Sequence, residues 1–496
     1  VIDDCYELAL PLRQRNPMMG HNGPPDTDRL FDSTAVSAVQ GLASQTLDDV
    51  WPADQTPFML KAGKRVPEEK REEMNRRLAS VSEDVIEVIN NSNFRSAGHE
   101  CFLDYCIGTG IMLIEAGDAL RPVNFRSIPL TECVLDTGPR GEVDCLMMER
   151  EIRLGDIRKL WPKARLSADM AQREDTDPDQ KVRILEAMER DWSKRNVEAW
   201  VHWIIWSENT NSGVLIQERD EGVGSCPFVA VSFTRVSGEA MGRGPVMMAL
   251  PDIRVANKLV ELNLEHADLT LSGIWLYDDD GVINPDTAIL EPGALIPKMP
   301  GTSQGLQNIG PSGNFQVGQV TLQELRSAIK DHLYVNDLGD VNRSPKTAQE
   351  ISQRTADRAR RLSGSYGRLQ TEFLFPVVSR VWWLLKKAEG QSGLPPIDGD
   401  QIKVKPLGPL TRAQAQDDIL RHVNYIQTLN QLWGPQAALM LTDPTLVSKY
   451  LADKMGFDAQ LLRPEAEQQQ MLQMAQQAMQ AQQQPAPAAP AAAPAA

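Results

Sequence analysis

Apolar residues recur at helical spacing from Asp32 to Val50, where Val36, Val39, Leu42, Leu47 and Val50 share one side and Trp51-Pro52 ends the run. Residues three and four apart lie on one helix face, so the pattern predicts an amphipathic helix. A second helix is predicted from Pro67 to Asn90, with Glu and Lys or Arg at i,i+4 spacing on a solvated face. Helical character continues from His99 to Tyr105 and stops at Gly108-Thr109-Gly110. Beyond that point the pattern alternates, as it does when side chains point to opposite faces of a strand. Ile111 to Glu115, Glu132 to Asp136 and Glu142 to Ile152 read as strands, with Thr137 to Gly141 as a hairpin turn. Ala199 to Trp206, Gly213 to Arg219 and Phe228 to Val236 add three more strand-like runs. Helices first and antiparallel strands after predict an α+β unit.

Pro245 opens a different regime. At about 100° per residue, Ile253, Val260, Leu264 and Leu271 fall near 0°, and Val255, Leu259, Leu262 and Leu269 near roughly 200°. Arg254, Asn257, Lys258, Glu261, Glu265 and Asp268 form a charged face between these two apolar stripes. Such a helix suits a stave in a ring of helices, and equally a core helix between two layers of its own chain. Gly273 to Gly318 is rich in Gly and Pro, with a hairpin predicted in the segment IWLYDDDGVIN; Thr321 to Asn336 is a further helix. Thr347 to Glu350 is a capping box opening a helix with a weak point at Ser363 to Gly367, a kink at Pro376 and an end near Gly390. A linker then leads to a helical segment from Thr411 to about Leu462. The Gln- and Ala-rich end closes on PAPAAPAAAPAA, which predicts a disordered extended tail.

Composition narrows the function classes. The chain has 496 residues and a net charge of −16, 42% of it hydrophobic and 24% charged. That predicts several globular domains and argues against a broad basic surface holding nucleic acid, since phosphate neutralisation by Lys and Arg supplies most of that affinity. The six cysteines form no CxxC pair and have no His at zinc spacing, so reduced thiols in a cytosolic setting are predicted, with no metal and no cofactor. No uncharged apolar run reaches 18 residues, and Val377 to Leu385 is split by Arg380. The pattern predicts a soluble chain, neither secreted nor membrane-spanning. Residue 1 is Val, which predicts a trimmed or missing initiator.

Motif searching finds little that carries catalysis. Neither a GxxxxGK[ST] phosphate loop nor an HExxH metal helix is present. Gly301 to Gly305 matches the GxSxG nucleophile elbow around Ser303, yet no strand and helix flank it. Gly108-Thr109-Gly110 lies between a helix and a strand, the reverse of the order that presents a helix N-terminus to a pyrophosphate. Asp278, Asp279 and Asp280 read as an exposed turn. Arg354, Arg358 and Arg361 share one helix face behind Arg343 and Lys346, the one local cationic cluster that stands out.

Taken in order, five segments resemble the portal proteins, or head-to-tail connectors, of short-tailed bacteriophages. They are DSTAVSAVQGLAS from Asp32, GTGIMLIE with FRSIPLTECVLD, CPFVAVSFTRVSGEAMGRGP from Cys226 to Pro245, Thr347-Ala-x-Glu350, and the long helix containing Pro376. The first thirty residues and Asp177 to Asp191 remain unassigned. The resemblance implies an α+β portal fold assembled as a ring of about twelve subunits. It implies a wing (1–244 and 348–410), a stem (245–272 and 318–337), a clip (273–317), a channel loop (338–347), a helical crown (411–464) and a tail (465–496). About twelve staves at roughly 9 Å spacing leave a bore near 24 Å, wide enough for duplex DNA.

By the same resemblance the chain catalyses nothing itself. It conducts double-stranded DNA during packaging and ejection, and docks a packaging motor (terminase) and then tail adaptors. Capsid and scaffold proteins are the other implied partners, at the virion's head-tail junction after assembly in the host cytoplasm. Candidate channel residues are Arg343, Lys346, Arg354 and Arg358. Candidate clip docking residues are Asp278, Asp279, Asp280 and Lys298, and ring-interface residues are Val255, Leu259, Leu262, Ile253, Val260 and Leu264. Competing readings are another ring-forming tail or adaptor protein, and a serine hydrolase using Ser303.

Overall fold

Strand alternation and two glycine-lined crossings organise the body of the molecule. The computed structural model describes residues 1–13, 27–118, 120–194, 197–208, 211–278, 294–298, 307–308, 315–335, 363–389, 397–408, 419–433, 446–448 and 450–451. In chain order the first elements are α1 (Ile2–Ala9), α2 (Thr34–Val50), β1 (Phe58–Ala62), α3 (Glu68–Asn90) and α4 (Phe94–Ile107). α2 and α3 follow the predicted helices closely. α4 is longer than the predicted run and buried along nearly its whole length, so its weak amphipathicity hid its start.

β2 (Thr109–Ala116) is the middle strand of an antiparallel sheet, between β3 (Val123–Ile128) and a later strand, β9 (Phe228–Ser232). β2 is buried from Thr109 to Ile114, with β3 and β9 on its edges and Ile111 to Ile114 in one core with the α4 side chains. Gly108 and Gly244 are needed where the α4 end meets the chain entering the next long helix. A Cβ on Gly108 would stand 2.2 Å from the Gly242 carbonyl oxygen, and one on Gly244 would stand 2.2 Å from that of Cys106. β9 ends at Ser232, short of the predicted Val236; the Phe233 N–H still bonds the Gly108 carbonyl at 2.9 Å, where its partner chain passes into the end of α4 and the ladder stops.

A second sheet runs in the order β4 (Cys133–Thr137), β5 (Val143–Arg153), β6 (Lys181–Arg190), β7 (Ala199–Glu208) and β8 (Asn211–Glu221), all antiparallel. The predicted turn between β4 and β5 is present, with Gly141 at φ 76°. β6, its central strand, lies in the unassigned stretch. Val182, Ile184, Glu186 and Met188 alternate inward there. A charged residue at a core position spoils the apolar signal, and the intervening Lys, Arg, Glu and Ala favour helix. α5 (Leu154–Leu160) and α6 (Ala168–Thr176) close a small satellite core beside this sheet.

α7 (Pro245–Ser272) is the long helix predicted after Pro245. The second half of the hairpin predicted in IWLYDDDGVIN lies outside the described residues. Its first half, β10 (Trp275–Asp278), pairs parallel with β11 (Leu295–Lys298) and antiparallel with β12 (Gln307–Asn308). α8 (Phe315–His332) begins earlier than predicted and ends earlier, at Leu333 to Val335. The Val335 N–H bonds the Lys330 carbonyl at 3.0 Å and the Tyr334 N–H that of Asp331 at 3.2 Å. This reverse-turn cap places Tyr334 at φ 56°, in the left-handed region that Gly usually fills.

α9 (Ser363–Arg368) passes through one widened turn, Leu369–Leu374, into α10 (Phe375–Glu389). The Phe375 N–H bonds the Gln370 carbonyl, one residue beyond α-helical pairing. The predicted kink at Pro376 is thus absorbed in the preceding turn, where a proline cannot supply the next N–H. Arg380, which interrupts the apolar run of α10, is buried. It donates to the Ser225 carbonyl at 2.9 Å and the Ile114 carbonyl at 3.3 Å, and lies over the Trp383 ring at 4.6 Å. β13 (Ile402–Pro406) pairs antiparallel with β1, joining residues too distant for local pattern to connect. Residues 419–433 are helical. All six cysteines are free thiols. Among the described residues no helix is long and apolar enough to cross a membrane.

Candidate assembly surface and conduit residues

α7 and α8 pack as an antiparallel pair whose base is held by the N-terminal residues left unassigned above. The Asn257 amide donates to the Arg29 carbonyl at 2.8 Å and accepts from the Phe31 and Asp32 N–H groups at 2.7 and 3.0 Å. Arg254 bonds Asp4, and Arg326 Nε donates to Asp32 at 2.9 Å. Asp32 also accepts from the Thr34 N–H, opening α2. Two members of the predicted charged face, Arg254 and Asn257, therefore clamp the N-terminal strap against the helix. The strap is fixed in turn at Asp104, which is fully buried. Tyr6 donates to it at 2.7 Å and Arg13 at 2.6 to 3.0 Å. Burial alone would lower the Arg13 pKa, but the Asp104 charge and hydrogen bonds outweigh it and hold the guanidinium above its ordinary range.

Along α7 the apolar positions divide. Val246, Ala249, Leu250, Ile253 and Ala256 are buried by their own chain, and Leu259 and Val260 lean on the same core. Ile253 is therefore corrected: covered by its own body, it offers no surface to a neighbour. Met248, Val255 and Leu262 are 52, 53 and 49% exposed, and they stand seven residues apart. Leu264 and Leu271, 56 and 88% exposed, form a second file offset from Leu262 by two residues, about 200° around the axis. Of the residues on the two predicted flanks, Val255, Leu262, Leu264 and Leu271 are exposed.

The other predicted residues are reached less far. Asp278 and Lys298 are backbone partners in the β10–β11 register. Asp279, Asp280, Ser303, Arg343, Lys346, Arg354, Arg358 and Arg361 lie outside the described residues, as do the capping box and the tail.

Sequence reasoning missed one charged centre. Glu186, on β6, is fully buried and receives His202 Nε2 at 2.8 Å and Arg150 at 3.0 Å, with Arg126 of β3 at 3.5 Å. Burial works to raise its pKa, but the His202 hydrogen bond and charge together with Arg126 and Arg150 hold it down to about 2. Arg126 comes from the other sheet, so the cluster ties the two sheets together. The signal was present as an acid at an inward strand position.

Nothing in the body forms a catalytic constellation among the described residues. A cavity of about 930 Å³ is an open trough lined by Tyr6, Val134, Met147, Arg150 and Arg183 with carboxylates around them. Burial pushes the Cys133 and Cys226 thiols up to about 12, away from a reactive thiolate. The described residues hold no cluster of three metal-ligating side chains.

The bacteriophage head to tail connecting protein family model matches residues 2–462, so the chain belongs to that family. The portal protein of Escherichia phage T7 is 24% identical over 257 residues, covering 50% of this chain and 46% of the T7 protein. The match thus spans under half of that relative's length. Among solved structures, a chain from the virion of a native gene transfer agent particle aligns at TM-score 0.35 and 12% identity, over 79% of this chain and 86% of its own. A chain from the neck of a native particle, computed with C12 symmetry, aligns at 0.34 and 12%, over 85% and 94%.

Proposed function

We propose that the chain is a portal subunit: it assembles into a ring at the head-tail junction of a virion and conducts double-stranded DNA during packaging and ejection. The observation that carries the reading is the pair of exposed apolar files on α7. Heptad-spaced side chains on two nearly opposite flanks suit contact with a neighbouring helix on each side. A helix with one such flank would end in a pair; two flanks continue around a ring. About twelve subunits give the bore needed for a duplex. α7 and α8 are then the stem, the β10–β11–β12 module the clip, and the body from α1 to β9 with α9, α10 and β13 the wing. The crown, 411–464, completes the assignment.

The role is structural rather than catalytic, with ATP hydrolysis left to a separate packaging motor. The clip, with Asp278, Asp279, Asp280 and Lys298, docks that motor and afterwards the tail adaptors. Arg343 and Lys346, with Arg354 and Arg358 behind them, offer weak, salt-sensitive phosphate contacts in the channel. Single-particle imaging of the purified chain tests the reading. Closed rings with a bore wider than about 20 Å are expected, and a monodisperse monomer at micromolar concentration would refute it.

A further inference from the structure

In an antiparallel sheet with one face on the core, strands alternate apolar-in and polar-out. The second sheet breaks that rule on its outer face. Its inward positions, such as Leu146, Met148, Ile184 and Ile204, belong to the cores. On the opposite face Val134, Met147, Ala187 and Trp203 are directly opposed across β4, β5, β6 and β7. Leu185 and Ile205 form a second row beside them. None of these six is part of either hydrophobic core cluster, and Val134 and Met147 are 66 and 41% exposed. Contiguous apolar surface of this kind marks an interaction site. At its β4 end the face is the floor of the open trough described above, with Val134, Met147 and Leu185 below and α1 supplying Asp3 and Tyr6 as a wall. Four carboxylates line the trough, Asp3, Glu132, Glu149 and Glu151, against two guanidinium groups, Arg150 and Arg183. Arg150 is turned to the buried Glu186 at 3.0 Å, and Arg183 lies 3.8 Å from Glu149. Asp3 and Glu151 pair with no cation among the described residues.

We propose that this trough and the face beyond it bind a basic amphipathic helix of a partner protein. β5, β6 and β7 are paired on both edges, so the floor offers side chains and no free backbone groups. A segment lying there must satisfy its own N–H and C=O groups, which a helix does and a lone extended strand does not. From β4 to β7 is three strand spacings, about 14 Å, the length of about ten helical residues. Apolar side chains at i, i+3, i+4 and i+7 would cover the two rows, and Lys or Arg on the flanks would meet Asp3 and Glu151. The excess of carboxylates opposes a nucleic acid or an anionic lipid surface, whose phosphates it repels. α7 contributes nothing to the trough, so the proposal stands apart from the ring reading.

The test is methionine footprinting with dilute peroxide on the full chain, with and without a synthetic helix of about 18 residues carrying Leu at i, i+3, i+4 and i+7 and Lys elsewhere. Exposed Met147 should oxidise readily in the chain alone, and the peptide is expected to slow it about fivefold while leaving Met248 of α7 unchanged. Fluorescence anisotropy of the labelled peptide gives the affinity. Val134→Ser/Met147→Ser should weaken binding about tenfold, since two apolar contacts are lost from the floor. Asp3→Asn/Glu151→Gln should weaken it about threefold at low salt, and less as salt screens the rim. All four side chains are exposed, so thermal melts of both variants should match the parent's. Equal Met147 oxidation with and without the peptide would overturn the proposal, as would parent-like affinity in the Val134/Met147 variant. Equal shielding by the same peptide with Glu in place of Lys, or by duplex DNA, would remove the basic helix as the occupant. Met147 already shielded in the assembled parent would give the face to a second copy of the chain, and the proposal would fall.

Discussion

The two halves of α7 obey different rules. From Pro245 to Ala256 the helix buries Val246, Ala249, Leu250, Ile253 and Ala256 against the body. Beyond Ala256 no described residue of the helix is buried, and Leu262, Leu264 and Leu271 stand in the open. Full burial of one such side chain is worth about 1.5–3 kcal/mol. The body buries its apolar positions within one chain; in the proposed ring, the outer half of the helix would bury its own against neighbours. On the ring reading proposed above, stability of the fold and assembly are carried by separate side chains on one helix, and substitutions can address them one at a time.

The largest effect is expected from Val255→Glu with Leu262→Glu. Both positions are about half exposed, so the free chain should keep its melting temperature. Each ring contact would instead bury uncompensated charge, and assembly should be lost outright in light scattering. Leu259→Glu is a poorer probe, because Leu259 packs on its own core and its loss would confuse folding with assembly. Rings that persist in the double variant would remove these files from the interface. Arg13→Met acts on the body alone. It strands the buried Asp104 carboxylate and should cost about 3–5 kcal/mol in denaturant unfolding. A shift below about 1 kcal/mol would mean that Asp104 is not held as a charge.

What the sequence made legible follows from where each signal resides. α2, α3 and α7 write their period into consecutive residues, and so do β5, β7 and β8. Their recognition needed no partner. The β1–β13 pair was invisible because five-residue strands separated by most of the chain carry no local mark of each other. β6 was hidden by Glu186, whose inward charge makes sense only once His202, Arg150 and Arg126 surround it. The two flanks of α7 were readable as a pattern. Which positions the body covers was not, since Ile253 and Val255 are equally apolar and differ only in what packs on them. The strap was missed for the same reason: Asp4 and Asp32 acquire meaning from Arg254 and Arg326.

Glu186 gives the body a pH signature that the outer half of α7 lacks. Its pKa is depressed on folding, from an ordinary 4.5 to about 2, so the unfolded chain binds the proton more readily. The stabilisation is present in full above about 4.5 and is lost as pH falls toward 2. Thermal melts of the parent should therefore steepen in pH dependence across that window, and Glu186→Gln should flatten the curve. Parallel curves for the two proteins would show that the cluster does not hold the carboxylate ionised.

The smallest effect belongs to the joint between the halves. Asn257 sits at the boundary on α7 and makes three hydrogen bonds to the backbone of residues 29 to 32. Two of its three bonds are exposed and the one from the Asp32 N–H is half-buried, so Asn257→Ala should cost only about 1–2 kcal/mol. Its consequence is local. Freed from the amide, the Phe31 and Asp32 N–H groups should exchange with solvent faster, while those of the buried α4 stay protected. Arg326→Ala loosens the same strap through Asp32, so the two substitutions share a partner and should not add. A coupling of at least 0.5 kcal/mol in the double-mutant cycle is expected. Additive effects with unchanged exchange at Phe31 and Asp32 would mean that the strap rests on Tyr6, Arg13 and the Arg254–Asp4 pair, and that Asn257 and Arg326 do not hold it against α7.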